Sequence, residues 1–170
     1  NRKIVQGLIN ELKISEEKQV KVIRAIDKLD KPGFGLKGVE DLLKKERKDQ
    51  SGAITKGADL TDQQAAQILN FLKIKDLKEL KQTLNNQLSQ EGISELENVF
   101  EVLGYGSNLN QVKTNFTIVR GLAYYSDFIV ETNLNFKVTN NKGKEVDIGS
   151  ICSGGAYAKL ISRFRGVDIP

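Results

Sequence analysis

The chain contains no histidine and no methionine, and its one cysteine is Cys152. Without histidine, Ser-His-Asp triads and histidine-based zinc sites are excluded. A single cysteine cannot build an intrachain disulfide framework and fits a reducing compartment. With no base partner to activate it, Cys152 reads as a small buried packing residue. No apolar run approaches the roughly 20 residues needed to span a bilayer. No signal peptide is recognisable, so a cytoplasmic protein without a membrane partner is the expectation. An opening of Asn1-Arg2-Lys3-Ile4, with no initiating methionine, reads as a piece of something longer or a processed product.

The chain has 170 residues, the size of one ordinary domain or two small ones. At 39 % hydrophobic it can bury a core of useful size. The net charge of +4, from 26 basic and 22 acidic residues, allows nucleic acid as a partner without demanding it. An ordinary soluble surface reads equally well from charge alone.

The first part of the chain reads as helices. Ile4, Val5, Leu8, Ile9 and Leu12 form a helical stripe over Asn1 to Lys13. Ser15 is placed to cap a second helix, with Glu16 and Glu17 in its first turn and Val22, Ile23, Ile26 and Leu29 on its buried face. Pro32-Gly33-Phe34-Gly35 ends it, and a third helix follows from about Leu36 to Arg47, with Val39, Leu42 and Leu43 inward. Residues 48–60 show no periodicity and read as a long loop. Thr61 with Gln64 forms a capping box ahead of Ala65, Ile68, Leu69 and Leu72. Asp76 with Glu79 opens a helix carrying Leu77, Leu80, Leu84 and Leu88. Ser94 with Glu97 opens a short last one, ended by Gly104.

The period then changes. Phe116 to Val119 reads as a strand, and Phe128 to Val138 as a longer one. Asn140-Asn141-Lys142-Gly143 is a turn, and Val146 and Ile148 mark the returning strand. From Gly154 the chain is expected to turn into a helix bearing Tyr157, Leu160, Ile161 and Phe164. A three-stranded sheet with one helix buries little area, so its other face should need cover from residues not present here.

Three short segments carry candidate chemistry. Arg120, at a strand end before Gly121, can offer a planar fork to phosphate oxygens while the glycine admits a ligand to the backbone. Alone it reads as well as a solvated strand-end arginine. Tyr124 and Tyr125 point opposite ways if extended, one ring to the core and one hydroxyl to a pocket, or both rings pack. Ser153-Gly154-Gly155-Ala156-Tyr157 allows close backbone approach at a helix start, and without its neighbours reads as a plain turn. It is not a Walker loop, because the Gly-Lys-Ser/Thr ending is absent.

Taken together and in order, Arg120-Gly121-Leu122-x-Tyr124-Tyr125 with Glu131, then Cys152-x-Gly154-Gly155-x-Tyr157, resemble the two histidine-binding signatures of the histidyl-tRNA synthetases. Ile26-Asp27-Lys28-Leu29-Asp30-Lys31, the stretch from Arg47 to Gly57, and Ser162-Arg163-Phe164-Arg165-Gly166 resemble one bacterial branch of that family. The resemblance covers essentially the whole chain. It implies an α+β protein: an all-helical insertion domain, then part of the antiparallel class II catalytic sheet with a helix. The implied division is 1–13 as a catalytic-domain helix or connector, 14–112 as the insertion domain, and 113–170 as partial catalytic domain.

The resemblance also implies roles. Arg120 would lie against the α-phosphate of ATP, with Gly121 beside it. Leu122, Tyr124, Tyr125, Gly154, Gly155 and Tyr157 would form the histidine site, and Glu131 would have a structural role. ATP would be a substrate accompanied by magnesium in the parent enzyme, with no metal site in this chain. Partners would be tRNA(His), histidine and ATP, in a homodimeric parent. In the family the insertion domain lies over the acceptor end of the tRNA. Lys44, Lys45, Arg47, Lys48 and Lys56 cluster where phosphate contacts would fall. A solvated helix end is the plainer reading, because Glu40, Asp41, Glu46 and Asp49 lie among them.

This sequence departs from the family pattern. Gly-Gly-Arg-Tyr-Asp is replaced by Gly154-Gly155-Ala156-Tyr157-Ala158, and Ser126-Asp127 stands where Thr-Gly is usual. These changes put an unaltered histidine site in question. The chain starts after the first two class II signatures and stops before the last, so aminoacylation by it alone is not expected. Two other readings stay open. One is a non-catalytic, histidine-sensing paralogue resembling the regulatory subunit of ATP phosphoribosyltransferase. The other is a stand-alone tRNA-binding module.

Overall fold

A computed structural model describes residues 1–48, 52–104, 111–119, 125–157 and 160–167, except for the side chain of residue 163. The chain forms two compact units, Asn1–Arg120 and Gly121–Pro170. The architecture is α+β, with helices in the first unit and small antiparallel pairings in both.

The first unit contains helices α1 (Arg2–Glu11), α2 (Glu16–Ile26), α3 (Gly35–Lys44), α4 (Asp62–Phe71), α5 (Leu77–Thr83) and α6 (Gln87–Gly104). Their apolar stripes meet in one core. Ile4, Ile9, Val22, Ile26, Val39, Leu43, Ile68, Phe71, Leu80 and Ile93 are almost wholly removed from water. Each such burial contributes on the order of 1.5–3 kcal/mol. Helix α1 lies along α6 at very short range, because Gly7 faces Ser89 and Gly92 faces Ile4. The buried Ser89 hydroxyl donates to the Ile4 carbonyl at 3.1 Å.

Helix ends follow local chemistry. Thr61 and Gln64 make the reciprocal capping box that their spacing predicts. Asp76 caps α5 through the Glu79 amide at 2.8 Å. Ser15 occupies the cap position of α2, but its side chain makes no capping hydrogen bond. Helix α1 ends in a Schellman motif: Ile14 N donates to Ile9 O at 3.2 Å and Lys13 N to Asn10 O at 2.9 Å. Lys13 holds the left-handed position at φ 52°, where glycine is unstrained. Lys13→Gly is therefore expected to stabilise the first unit by about 0.5–1 kcal/mol, after the larger unfolded-state entropy of glycine is subtracted. An unchanged or lower urea midpoint would contradict this.

Several expectations need correction. Residues 48–60 are not simply a loop: β1 (Glu46–Lys48) pairs antiparallel with β2 (Ile54–Lys56). The reason lies at the end of α3, whose last carbonyls need donors. Gly57 N donates to Lys45 O at 2.5 Å, Ala58 N to Leu42 O at 2.8 Å and Leu60 N to Leu43 O at 3.0 Å. The returning chain caps α3 and lays β2 beside β1. The helix read from Asp76 to Leu88 breaks at Leu84, which is extended. The one read from Ser94 is instead the interior of the 18-residue α6. Asn86 sets the true start, accepting from Ser89 N at 2.8 Å and donating to Glu11 at 2.8 Å. Phe116 and Thr117 form a turn and Ile118 and Val119 have no regular structure, so no strand forms there. Asn115 Oδ1 takes the Thr117 amide at 2.9 Å and folds the backbone there.

The second unit is one long hairpin followed by a short helix. β3 (Ile129–Asn133) pairs with β6 (Ser150–Gly155), and β4 (Val138–Thr139) pairs with β5 (Glu145–Val146) inside it. This nesting replaces the expected three-stranded sheet. The long strand read over 128–138 is cut after Asn133 because its partner is irregular. A bulge shifts the register between Thr132 and Asn133. Asp147 also accepts the Gly149 amide at 2.8 Å, with Gly149 at φ 69°. The turn at 140–143 forms as its composition predicts, with Asn140 Oδ1 receiving the Lys142 and Lys144 amides. Helix α7 (Leu160–Arg165) comes last. Phe128, Val130, Phe136, Ile148, Ile151, Ile161 and Phe164 are exposed.

Candidate functional site

The two sequence motifs meet along β3 and β6. Glu131 stands opposite Ser153, Val130 opposite Gly154 and Ile129 opposite Gly155. Directly paired residues share a face of the ribbon. Ile129, Glu131, Ser153 and Gly155 are therefore on one side, and Val130, Thr132, Cys152 and Gly154 on the other. Beyond the ladder the pairing continues. Ser126 N donates to Ala156 O at 2.9 Å, and Ala156 N to Phe128 O at 3.2 Å. The Ser126 hydroxyl adds contacts of 2.6 Å to Asp127 and 3.4 Å to Ala156 O.

Tyr125 and Tyr157 are the result of this zipper. Their ring centroids are 5.1 Å apart at 65°, an edge-to-face pair, and their hydroxyls are 3.5 Å apart. Tyr125 is 5 % exposed and Tyr157 is 48 % exposed. The buried ring thus braces one that is half-exposed, with the two phenol oxygens side by side. Gly155 makes room for this arrangement. A Cβ there would stand 2.7 Å from Tyr125 Cδ1 and 2.9 Å from Phe128 O. At Gly154 the nearest contact would be Val130 Cγ1 at 3.4 Å, ordinary packing. Such a site suits a small planar polar ligand that stacks on a ring and exchanges hydrogen bonds with phenols.

The glycine pair is part of β6 rather than a turn into a helix, since α7 begins only at Leu160. Among the described residues no helix terminus acts on this motif, and the glycines serve strand pairing and ring packing instead. Cys152 is exposed, not buried, because it falls on the Val130 side of the ribbon. Arg120, Gly121, Leu122, Tyr124 and Ala158 lie outside the described residues. Sequence spacing could not reveal Ser126 as the link between the motifs, nor tell Gly155 from Gly154.

The basic cluster divides in two. Lys44 bonds Glu40 at 3.0 Å and Asp62 at 2.9 Å, tying α3 to the first turn of α4. Asp62 and then Glu40 raise its pKa, and Lys44 holds both carboxyls below their ordinary values. That tie is whole at neutral pH and is lost as pH falls through the depressed carboxylate range. Arg47 pairs with Asp41 at 3.6 Å and lies 4.3 Å over the Phe34 ring. Lys45, Lys48 and Lys56 are exposed.

Among the described residues no group of three histidine, cysteine, aspartate or glutamate side chains could hold a metal. None of their helices is long and apolar enough to cross a membrane. A recess of about 360 Å³ at the irregular middle of the hairpin, walled by Leu134, Phe136, Val138 and Ile148, lies away from the tyrosine pair.

No protein-family model matches the chain. It is 76 % identical over 170 residues to the histidine–tRNA ligase of Pelagibacter ubique strain HTCC1062, covering all of this chain and 37 % of that protein. It is 39 % identical over 181 residues to the ligase of Bartonella quintana strain Toulouse, covering 36 % of it. The crystal structure of histidyl-tRNA synthetase from Nostoc sp. PCC 7120 superposes with a TM-score of 0.70 at 30 % identity, over 99 % of this chain and 36 % of that one. The chain therefore spans about a third of the length of these relatives. The resemblance carried by the two tyrosine motifs is borne out: along its whole length the chain is homologous to one stretch of histidine–tRNA ligase.

Proposed function

We propose that these residues serve as the histidine-reading and RNA-facing third of a ligase that activates histidine with ATP and transfers it to tRNA(His). The observation that carries this reading is the pairing of β3 with β6, which sets Tyr125 and Tyr157 5.1 Å apart on one small ribbon. An imidazole ring fits against the exposed face of Tyr157, and the phenols offer hydrogen bonds to its nitrogens or to the amino group. Gly155 leaves room for the Tyr125 ring that backs Tyr157, and the family resemblance assigns Gly154, Leu122 and Tyr124 to the same histidine site. The family resemblance also assigns Arg120, with Gly121, to the α-phosphate, where its charge would stabilise ATP as it is attacked. Magnesium arrives with ATP, and no residue of this chain is assigned to it.

The exposed apolar side chains of the second unit, Phe128, Val130, Ile161 and Phe164 among them, support a catalytic domain completed by further residues. A cytoplasmic homodimer is the expected parent, and the chain alone is expected to be inactive. The histidine-sensing paralogue draws support from the uncharged Ala156 and Ala158. The ligase names carried by relatives at 76 % and 39 % identity favour catalysis.

Arg120 provides the test. In a full-length ligase carrying this segment, Arg120→Ala is expected to slow histidyl-adenylate formation by about 10²–10³-fold, with the melting temperature kept. Unchanged adenylate formation would refute the role.

A further inference from the structure

This inference rests on the reading that the helical unit contacts RNA, and it assigns distinct tasks to the basic residues around the β1–β2 hairpin. Arg47 is spent on the protein itself. Its guanidinium lies 4.3 Å over Phe34, pairs with Asp41 at 3.6 Å and donates to Gly33 O at 3.3 Å. Gly38 makes room for this, since a Cβ there would meet Arg47 Nη1 at 2.5 Å and the Phe34 ring at 2.7 Å. Lys44 is likewise held between Glu40 and Asp62.

Lys45, Lys48 and Lys56 differ. Each is exposed, and none makes an ion pair within 4 Å among the described residues. The register Glu46↔Lys56, Arg47↔Thr55, Lys48↔Ile54 puts Lys48 and Lys56 on one face of the hairpin and Arg47 on the other. Lys45 stands at its foot. Glu46 shares the lysine face without pairing to Lys56, so among the described residues Lys48 and Lys56 share that face with one carboxylate.

We infer that Arg47 is a positioning residue that clamps the hairpin to the α2–α3 turn through Phe34, so that Lys45, Lys48 and Lys56 form a fixed row for RNA phosphates. Arg47 itself touches no phosphate. Ammonium groups on an exposed ribbon with no aromatic side chain among them suit backbone contacts, not base reading.

The experiment uses the full chain and an unmodified tRNA(His) transcript, with affinity measured against salt concentration. Lys48→Gln/Lys56→Gln should weaken binding about tenfold or more at low salt and lower the slope of log K against log salt by about 1 per lysine. Arg47→Gln removes a charge but should leave that slope unchanged. Phe34→Leu removes no charge, yet should expose the β1–β2 amides to hydrogen exchange and weaken binding by about three- to tenfold at constant slope. A lower slope in Arg47→Gln would overturn the positioning role, making Arg47 a phosphate ligand. Full affinity in Phe34→Leu would overturn the clamp, and full affinity in the double lysine variant would overturn the row. If the unaltered chain binds no transcript at low salt, the underlying reading fails instead.

Discussion

Gly155→Ala is expected to dismantle the tyrosine pair. The new methyl would lie 2.7 Å from the Tyr125 ring and 2.9 Å from the Phe128 carbonyl, distances at which something must shift. The carbonyl is fixed by its bond from Ala156 N, so either the Tyr125 ring moves or the end of β6 peels from β3. Overpacking of this kind typically costs about 1–3 kcal/mol. The second unit has little to spare, since Tyr125 is its one buried apolar side chain among the described residues. The chain has no tryptophan and four tyrosines, so near-ultraviolet circular dichroism reads the pair with little interference. The variant should lose that signal and the exchange protection of the Ile129 and Val130 amides. In a full-length ligase its KM for histidine should rise about 10²-fold, because a shift near 1 Å in a binding group has effects of that size. Gly154→Ala is the structural comparison: its methyl meets only Val130 at 3.4 Å, and the dichroism should persist. Equal loss in both variants would mean that glycine flexibility, not ring packing, governs the motif.

Gly7→Ala should be the most damaging single methyl in the helical unit. Helix propensity alone favours alanine at an interior position by about 1 kcal/mol. Packing opposes it, since the added Cβ would stand 2.2 Å from Ser89 Oγ, 2.3 Å from Asn86 Oδ1 and 2.8 Å from Ser89 N. The last is backbone and cannot rotate away. Separating α1 from α6 would strain the Ser89 bond to Ile4 O and the Asn86 cap together. An overpacking cost of about 2–4 kcal/mol, including a buried hydroxyl left unpaired, outweighs the propensity gain. The urea midpoint should fall with an unchanged m-value. A midpoint that rises would show that α1 and α6 part easily, and would contradict the close crossing.

The helices were legible wherever one signal dominated. The stripes over α1 to α4 and the Thr61–Gln64 box needed only local information. The errors fall where a distant contact decides. Nothing near Glu46 or Ile54 announces a hairpin, because the donors that bring β2 back belong to Gly57, Ala58 and Leu60 and serve the end of α3. Ser94 and Glu97 have capping-box spacing, yet Asn86, held by Glu11 on α1, starts α6 about two turns earlier. In the second unit, alternation carried Phe128 to Val138 as one strand, while the Asp147–Gly149 turn on the returning chain interrupted its partner. The two motifs were legible as residue types in order, through their likeness to a known family. Their geometry was not: the strand setting of Gly154 and Gly155 and the Ser126 link to Ala156 depend on cross-strand register. Arg47 shows the same limit. As a letter in a basic cluster it resembled a phosphate ligand, and only its stack on Phe34 separates it from Lys48 and Lys56.

The most direct test exchanges segments. Placing these 170 residues in the Pelagibacter ubique ligase, in place of the stretch to which they are 76 % identical, asks whether a segment carrying Ala156 and Ala158 supports histidine activation. The measurement is histidine-dependent ATP–pyrophosphate exchange. A rate within about tenfold of the parent, equivalent to about 1.4 kcal/mol, is the predicted result. A hybrid that folds and binds tRNA(His) but shows no histidine-dependent exchange would contradict the account and favour a histidine sensor.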